Sequence, residues 1–330
     1  GSASALYYDY IDATIGCDQG GSIRMPASWC GVIGLKPTFG LVPYTGILSG
    51  EPTIDHVGPM ARTTAMTARV LDVIAGKDPL DPRQRDTPVQ AYSKALHSNT
   101  TGLKVGVLKE GFNLKTSDKC VDEQVLKAIG EFANLGIEIA EVSVPVHSIS
   151  YAIHQAITIE GGRNLLRDYG LGYGWQGYYN TSLATVFGRA IKTQADDLPA
   201  EVKTILLFGS YLNEQYHGNV YAKGQNLRRV LRQAYDDVLN EFDVLAMPTE
   251  PVCAFKNNPS DDWKSRINRA AGVDDNTAAF NVTGHPAISI PCGKVNGLPV
   301  GLSLVTKHFN DGMLLRIANA FEHAVDWENF

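Results

Sequence analysis

The stretch Gly16-Cys17-Asp18-Gln19-Gly20-Gly21-Ser22-Ile23-Arg24-Met25-Pro26 decides how this chain is read. Two glycines directly before Ser22 leave the backbone free to turn sharply and to bring its N–H groups close to a bound oxygen. A serine hydroxyl beside such an anion nest is what an acyl-transfer nucleophile requires. The same three residues also describe a glycine turn with a serine capping a helix. Upstream, Ile11 to Gly16 is short, apolar and partly β-branched, which predicts a strand running into the turn.

The stretch continues Ala27-Ser28-Trp29-Cys30-Gly31-Val32-Ile33-Gly34-Leu35-Lys36-Pro37-Thr38. With Asp55-His56-Val57-Gly58-Pro59-Met60-Ala61-Arg62 and Thr283-Gly284-His285-Pro286-Ala287-Ile288-Ser289-Ile290-Pro291-Cys292-Gly293, it resembles the amidase signature family of serine hydrolases. The Asp-Gln-Gly-Gly-Ser variant and the Asn281-Val282-Thr283-Gly284-His285-Pro286 block look most like amidases associated with nitrile hydratases. The resemblance covers essentially the whole chain. It implies an α/β/α sandwich around a large mixed sheet.

The remaining elements agree with an α/β fold whose central sheet is mostly parallel. Leu103 to Leu108 reads as a buried strand, Asp122 to Leu135 as an amphipathic helix stopped by Gly136, and Ile137 to Val144 as a strand. That β-α-β order predicts a parallel pair. Thr63 to Ala75 has apolar residues at helical spacing, with Gly76 as its C-cap, and Asp78 to Pro88 reads as a surface connection. Tyr221 to Phe242 predicts a long helix, Asp243 to Thr249 a buried strand, and Asp311 to Val325 a closing amphipathic helix. Pro286 to Ile290 and Leu298 to Val305 read as strands joined by a turn at Val295-Asn296-Gly297. Three regions follow: 1–150, the core with the serine turn; 151–242, helical and rich in aromatics; and 243–330, a return to the sheet with a closing helix. In the middle region Asp168 to Tyr179 gathers tyrosine, glycine and Trp175, either as a surface loop or as a substrate wall or dimer contact.

With 330 residues, 44% of them apolar and 19% charged, the chain can bury a large core. A net charge of −6 argues against an electrostatic nucleic-acid binder, and Arg228, Arg229 and Arg232 read as a solvated helix face. No apolar run reaches membrane-spanning length. Cys17, Cys30, Cys120, Cys253 and Cys292 are odd in number and widely spread, which predicts reduced thiols and a cytoplasmic protein. No Cys-x-x-Cys or His-x-x-x-His spacing marks a metal site, and neither cofactor nor metal is expected.

Amide hydrolysis needs a nucleophile, a base, an acid for the leaving amine and oxyanion donors. Ser22 is the nucleophile candidate, with the backbone N–H groups of Gln19, Gly20, Gly21 and Ser22 as the oxyanion hole. Asp18 and Arg24 read as the opposite charges that hold the turn's shape. An α/β-hydrolase elbow fails, because Arg24 stands where its second glycine belongs. Asp55 and His56 are adjacent and would point apart in a strand, and His285 reads as a polar residue fixing a loop before a strand. The resemblance instead implies a Lys–Ser–Ser triad, whose bridging serine lies about two dozen residues before the nucleophile and whose lysine lies farther upstream. Counting back that far from Ser22 passes beyond Gly1, and no lysine precedes Ser22.

Three accounts therefore stand. The upstream part belongs to the same enzyme as an unseen segment or separate chain, which is preferred. Alternatively the chain is an inactive fragment or pseudoenzyme with a binding role, or Lys36 substitutes, although a structural ion pair is its expected job. The leading expectation is a homodimeric amidase acting on a small-molecule amide, aryl, arylalkyl or aliphatic, without nucleic-acid or membrane partners. The rival within the family is the glutamine-hydrolysing subunit of a tRNA amidotransferase, in which a threonine usually stands where this chain has Gln19.

Overall fold

The computed structural model describes residues 1–84, 88–163, 176–256, 258, 260–270 and 272–330. Eight strands form one sheet: β1 (Ala13–Asp18), β2 (Ile33–Lys36), β3 (His56–Ala61), β4 (Lys104–Leu108), β5 (Glu138–Val142), β6 (Val244–Pro248), β7 (Ala287–Val295) and β8 (Leu298–Val305). Their order across the sheet is β1-β3-β2-β7-β8-β6-β4-β5. Along β6 and through Ala287–Gly293 of β7 every residue is buried. Side chains alternate between faces, so unbroken burial means that both faces are covered. The helices Lys119–Gly130 and Asp311–Ala324 pack on β7, as does Arg24–Cys30, which follows the serine turn. The α/β architecture is thus as expected.

The expectation of a mostly parallel sheet is corrected. β4 runs parallel to β5 and to β6, joined in the first case through the Lys119–Gly130 helix as the β-α-β reading requires. The other neighbours, β1/β3, β3/β2, β2/β7, β7/β8 and β8/β6, are antiparallel. The physical reason is clearest in the β7–β8 hairpin. Asn296 and Gly297 have φ of 52° and 78°, the pair of positive angles that a tight two-residue turn needs, and a two-residue turn can join only antiparallel strands.

Helix boundaries follow the capping chemistry. The Thr64–Ile74 helix starts where the Thr63 side chain accepts from the Met66 N–H, and it ends at Ala75, not at Gly76. The Lys119–Gly130 helix tightens into a 3-10 turn over Glu131–Leu135 and stops at Gly136, with φ 71°. In the Asp78–Pro88 connection Asp81 is buried, accepting from Tyr44 N and pairing with Arg83, so this segment is tied down and only partly a surface loop. The aromatic cluster read over Asp168–Tyr179 lies largely outside the described residues.

The main hydrophobic core runs from Ile33 to Val325 and takes in Ile153, Ile157, Leu231 and Tyr235 from the middle region. A smaller cluster of Ala3, Leu6, Ile23, Ala27, Val32 and Met60 sits under the serine turn and roots the helix that follows it. No helix among the described residues is long and apolar enough to cross a membrane.

Candidate active site

The turn Gln19–Ile23 links the end of β1 to the Arg24–Cys30 helix. Ser22 is exposed while Gly21 and Ile23 on either side of it are buried. The helix is capped by Ile23 without any side-chain cap bond, so the Ser22 hydroxyl is not spent as a helix cap. Pro26 falls in the first helical turn, where its missing N–H costs nothing.

What fixes the turn is a buried ion pair across its base. Asp18 and Arg24 are both fully buried. Arg24 Nε donates to Asp18 Oδ2 and Nη2 to Oδ1, each at 3.0 Å, a two-pronged contact that sets both planes. Arg24 Nη1 also donates to the Thr277 carbonyl at 2.9 Å and Nη2 to Asn281 Oδ1 at 2.6 Å. Asn281 Nδ2 returns to Asp18, and Ile23 N–H donates to Asp18 Oδ2 at 3.2 Å. Burial by itself raises the Asp18 pKa. The Arg24 charge and hydrogen bonds outweigh it, helped by Lys36 and Asn281, and hold the carboxyl below its ordinary range. The pair is therefore charged and spans the mouth of the turn.

Above this base the turn's carbonyls are taken from one side. His154 Nε2 donates to the Gln19 carbonyl at 2.8 Å, and Thr277 Oγ1 donates to the Gly20 carbonyl at 2.6 Å. A trans peptide holds its C=O and N–H on opposite sides of one plane. With those two carbonyls anchored, the N–H groups of Gly20 and Gly21 are directed away from His154 and Thr277. Among the described residues no acceptor takes the N–H of Gly20, Gly21 or Ser22. Gly21 has φ +148°, and a Cβ there would stand 2.5 Å from Thr277 Oγ1 and 2.6 Å from Met25 Sδ. Only glycine fits.

Two titratable groups flank the turn. A Cβ at Gly20 would lie 3.0 Å from His154 Cε1 and 3.2 Å from Asp274 Oδ2. Burial pulls His154 down to about 4, so near neutral pH its ring is uncharged, with Nε2 carrying the proton it gives Gln19 and Nδ1 buried without a partner. Burial pushes Asp274 up to about 7, with Asp275 beside it adding repulsion. Neither is marked out by the sequence, and nor are Thr277 and Asn281. Asn281 opens the Asn-Val-Thr-Gly-His-Pro block, which is the one available signal. The others stand more than a hundred residues from the turn and carry no spacing pattern.

The remaining candidates lie elsewhere in function. Lys36 is fully buried in β2, with Nζ donating to the His285 carbonyl at 2.6 Å and to Pro37 O at 3.3 Å. The expected structural ion pair is therefore corrected: Lys36 ties backbone carbonyls together and makes no salt bridge among the described residues. Burial and the nearby Arg24 charge lower its pKa well below that of a free lysine. Asp55 accepts from Ser49 Oγ and Gly50 N, while His56 Nδ1 lies 2.7 Å from Ile54 O, so the two adjacent side chains do diverge. The solvated-face reading of the arginines holds for Arg229 and Arg232. Arg228 turns inward instead, half-buried 5.9 Å from the Phe39 ring centre and under the field of Glu51.

A family model described as Amidase matches residues 1–315. An enantioselective amidase of Rhodococcus rhodochrous is 40% identical over 332 residues, covering 98% of this chain and 63% of the relative. A glutamyl-tRNA(Gln) amidotransferase subunit of Geobacillus kaustophilus (strain HTA426) is 37% identical over 331 residues, covering 99% of this chain and 66% of the relative. The crystal structure of the corresponding Thermotoga maritima protein superposes with a TM-score of 0.74 at 27% identity, over 97% of this chain and 64% of that one. A bacterial aryl acylamidase of the amidase signature family, at 22% identity and TM-score 0.77 over 99% of this chain and 65% of that one, shares the fold. The chain thus spans just under two thirds of the length of the curated relatives it matches.

Proposed function

The chain belongs to the Amidase family, and from that premise we propose that the complete protein hydrolyses a carboxamide through an acyl-enzyme on Ser22. The Ser22 hydroxyl attacks the amide carbonyl. The resulting oxyanion accepts from the N–H groups of Gly20 and Gly21, assisted by those of Gln19 and Ser22, while ammonia or an amine departs and water then clears the ester. The observation that carries this reading is the anchoring of the Gln19 and Gly20 carbonyls by His154 and Thr277, which leaves neighbouring N–H groups free beside an exposed hydroxyl. Asp18 and Arg24 serve as the frame. No lysine or histidine side chain among the described residues hydrogen-bonds Ser22, so the proton acceptor comes with the part of the relatives' length that this chain does not match, as the Lys–Ser–Ser pattern implies.

Fluorophosphonate labelling of the complete protein, read by intact mass, tests this directly. One adduct on Ser22 is expected, with both adduct and hydrolysis lost in Ser22→Ala; unchanged hydrolysis in that variant ends the assignment. An aryl or arylalkyl amide is the proposed substrate class, supported by exposed Phe208 and Tyr211, whose rings stack with centres 6.2 Å apart in the middle region. A second reading, the glutamine-hydrolysing component of an amidotransferase, has a specific support in the 37% identity to a protein of that name. Glutaminase activity that rises with tRNA and partner subunits would select it. We place the protein in the cytoplasm as a homodimer; the five free thiols support the first, and light scattering of the purified protein tests the second.

A further inference from the structure

Away from the serine turn, three side chains from separate elements converge. Asp236 lies in the Asn219–Val238 helix, His285 stands two residues before β7, and His308 follows β8. Asp236 Oδ1 is 3.0 Å from His285 Nε2 and 3.7 Å from His308 Nδ1, and ligand atoms of all three lie within 4.8 Å of one another. The ring centres of the two histidines are 4.1 Å apart.

Thr283 holds the far side of both rings. His308 Nε2 lies 3.1 Å from the Thr283 carbonyl, which only accepts. That nitrogen therefore carries the ring proton, and Nδ1 presents its lone pair towards Asp236. His285 Nδ1 lies 2.9 Å from Thr283 Oγ1, and that hydroxyl donates its own proton to the Ala279 carbonyl at 3.1 Å. It thus accepts from His285 Nδ1, which turns the Nε2 lone pair towards the same carboxylate. Two imidazole lone pairs and a carboxylate oxygen aimed at one point call for a cation between them. Arg232 does not supply it, because its Nε lies 3.7 Å from the other oxygen, Oδ2. Imidazoles whose outer N–H is held by a carbonyl or hydroxyl are the usual second layer of a metal site.

We propose that Asp236, His285 and His308 form a binding site for a divalent cation of the zinc class. Zinc–nitrogen and zinc–oxygen bonds of about 2.0–2.1 Å in a tetrahedron separate ligand atoms by roughly 3.3 Å. The 3.0 Å and 3.7 Å spacings seen here bracket that value. Two imidazoles with one carboxylate favour zinc, nickel or copper over calcium and magnesium, which want oxygen throughout. The Asp236 side chain is 37% exposed and His285 fully buried, so the fourth position opens to water on the Asp236 side. A bound ion joins the Asn219–Val238 helix to both ends of the β7–β8 hairpin. Through the His285 carbonyl, which accepts from Lys36, it also reaches β2.

The test is calorimetric titration of chelator-treated, dialysed protein with zinc chloride near pH 7.5, repeated with cobalt(II) in the visible spectrum. One equivalent with a dissociation constant of about 1 μM or tighter is expected. Asp236→Asn and His308→Gln, both at partly exposed positions that leave His285 in its packing, each weaken it at least ~10-fold. The cobalt absorption band of a low-symmetry nitrogen–oxygen site disappears in His308→Gln. Arg232→Gln, which removes the neighbouring positive charge, tightens zinc binding. Absence of binding at roughly 100 times that concentration, or an affinity that neither ligand substitution changes, overturns the proposal.

Discussion

Replacing Arg24 by methionine tests the frame of the site most severely. The substitution keeps an unbranched side chain of similar reach but deletes the guanidinium, and with it four hydrogen bonds: two to Asp18, one to Thr277 O and one to Asn281 Oδ1. Asp18 keeps the Ile23 N–H and the Asn281 amide, yet remains a fully buried carboxylate without a countercharge on its own turn. Breaking one side of such a pair costs about 3–5 kcal/mol. The pH dependence gives a sharper readout than the magnitude. In the parent protein the folded-state pKa of Asp18 is depressed, so its stabilisation is present above the ordinary carboxylate pKa of about 4 and is lost as pH falls below it. In Arg24→Met burial acts with less opposition and the folded carboxyl takes up a proton more readily. The destabilisation is then smaller at pH 5 than at pH 8. Adding Asp18→Asn removes the buried charge and recovers about half the loss or more. Urea unfolding at both pH values, analysed by linear extrapolation, supplies every number needed. A loss under about 1 kcal/mol, or a double variant no more stable than Arg24→Met alone, refutes the claim that this pair holds the turn.

Gly21→Ala forces a side chain onto φ +148° and against Thr277 Oγ1. It costs about 1–3 kcal/mol in the same unfolding assay and lowers the rate of fluorophosphonate labelling at Ser22 by at least ~10-fold. Gly297→Ala is the matching control: with φ 78° and no atom within 4 Å of the new Cβ, it loses about 1–2 kcal/mol while labelling stays unchanged. Asp274, raised to about 7, contributes its stabilisation fully below the ordinary carboxylate range and loses it as pH rises through about 7. Asp274→Asn therefore raises the melting temperature at pH 8 relative to the parent and changes it little at pH 5; equal shifts at both pH values contradict this.

Much of the scaffold is legible from local chemistry. The β7–β8 hairpin announces itself through Asn296-Gly297, the Lys119–Gly130 helix through its apolar spacing and Gly136, and β6 through an unbroken apolar run. β2 and β3 are not legible in the same way. β2 is four residues long with Gly34 and a buried Lys36 inside it, and β3 carries Gly58 and Pro59. Proline is tolerated there because β2 registers only with Met60 and Ala61, so Pro59 lies beyond that ladder. Strand direction escapes a local reading because it depends on which strands become neighbours, a property of tertiary packing. In the site, Ser22 and its glycines are legible because their chemistry is contiguous. His154, Thr277 and Asn281 are not, because the turn recruits them from distant sequence by shape alone.

That distance has a consequence for how the protein comes into being. Arg24 and the acceptors that lock it, Thr277 and Asn281, are separated by 253 and 257 positions. At about 5–20 residues per second a ribosome takes roughly 13–50 s to add the missing acceptors after the serine has emerged. Throughout that interval the nascent polypeptide carries its reactive hydroxyl on an unlocked loop, and the hydrolytic centre matures only near the close of translation.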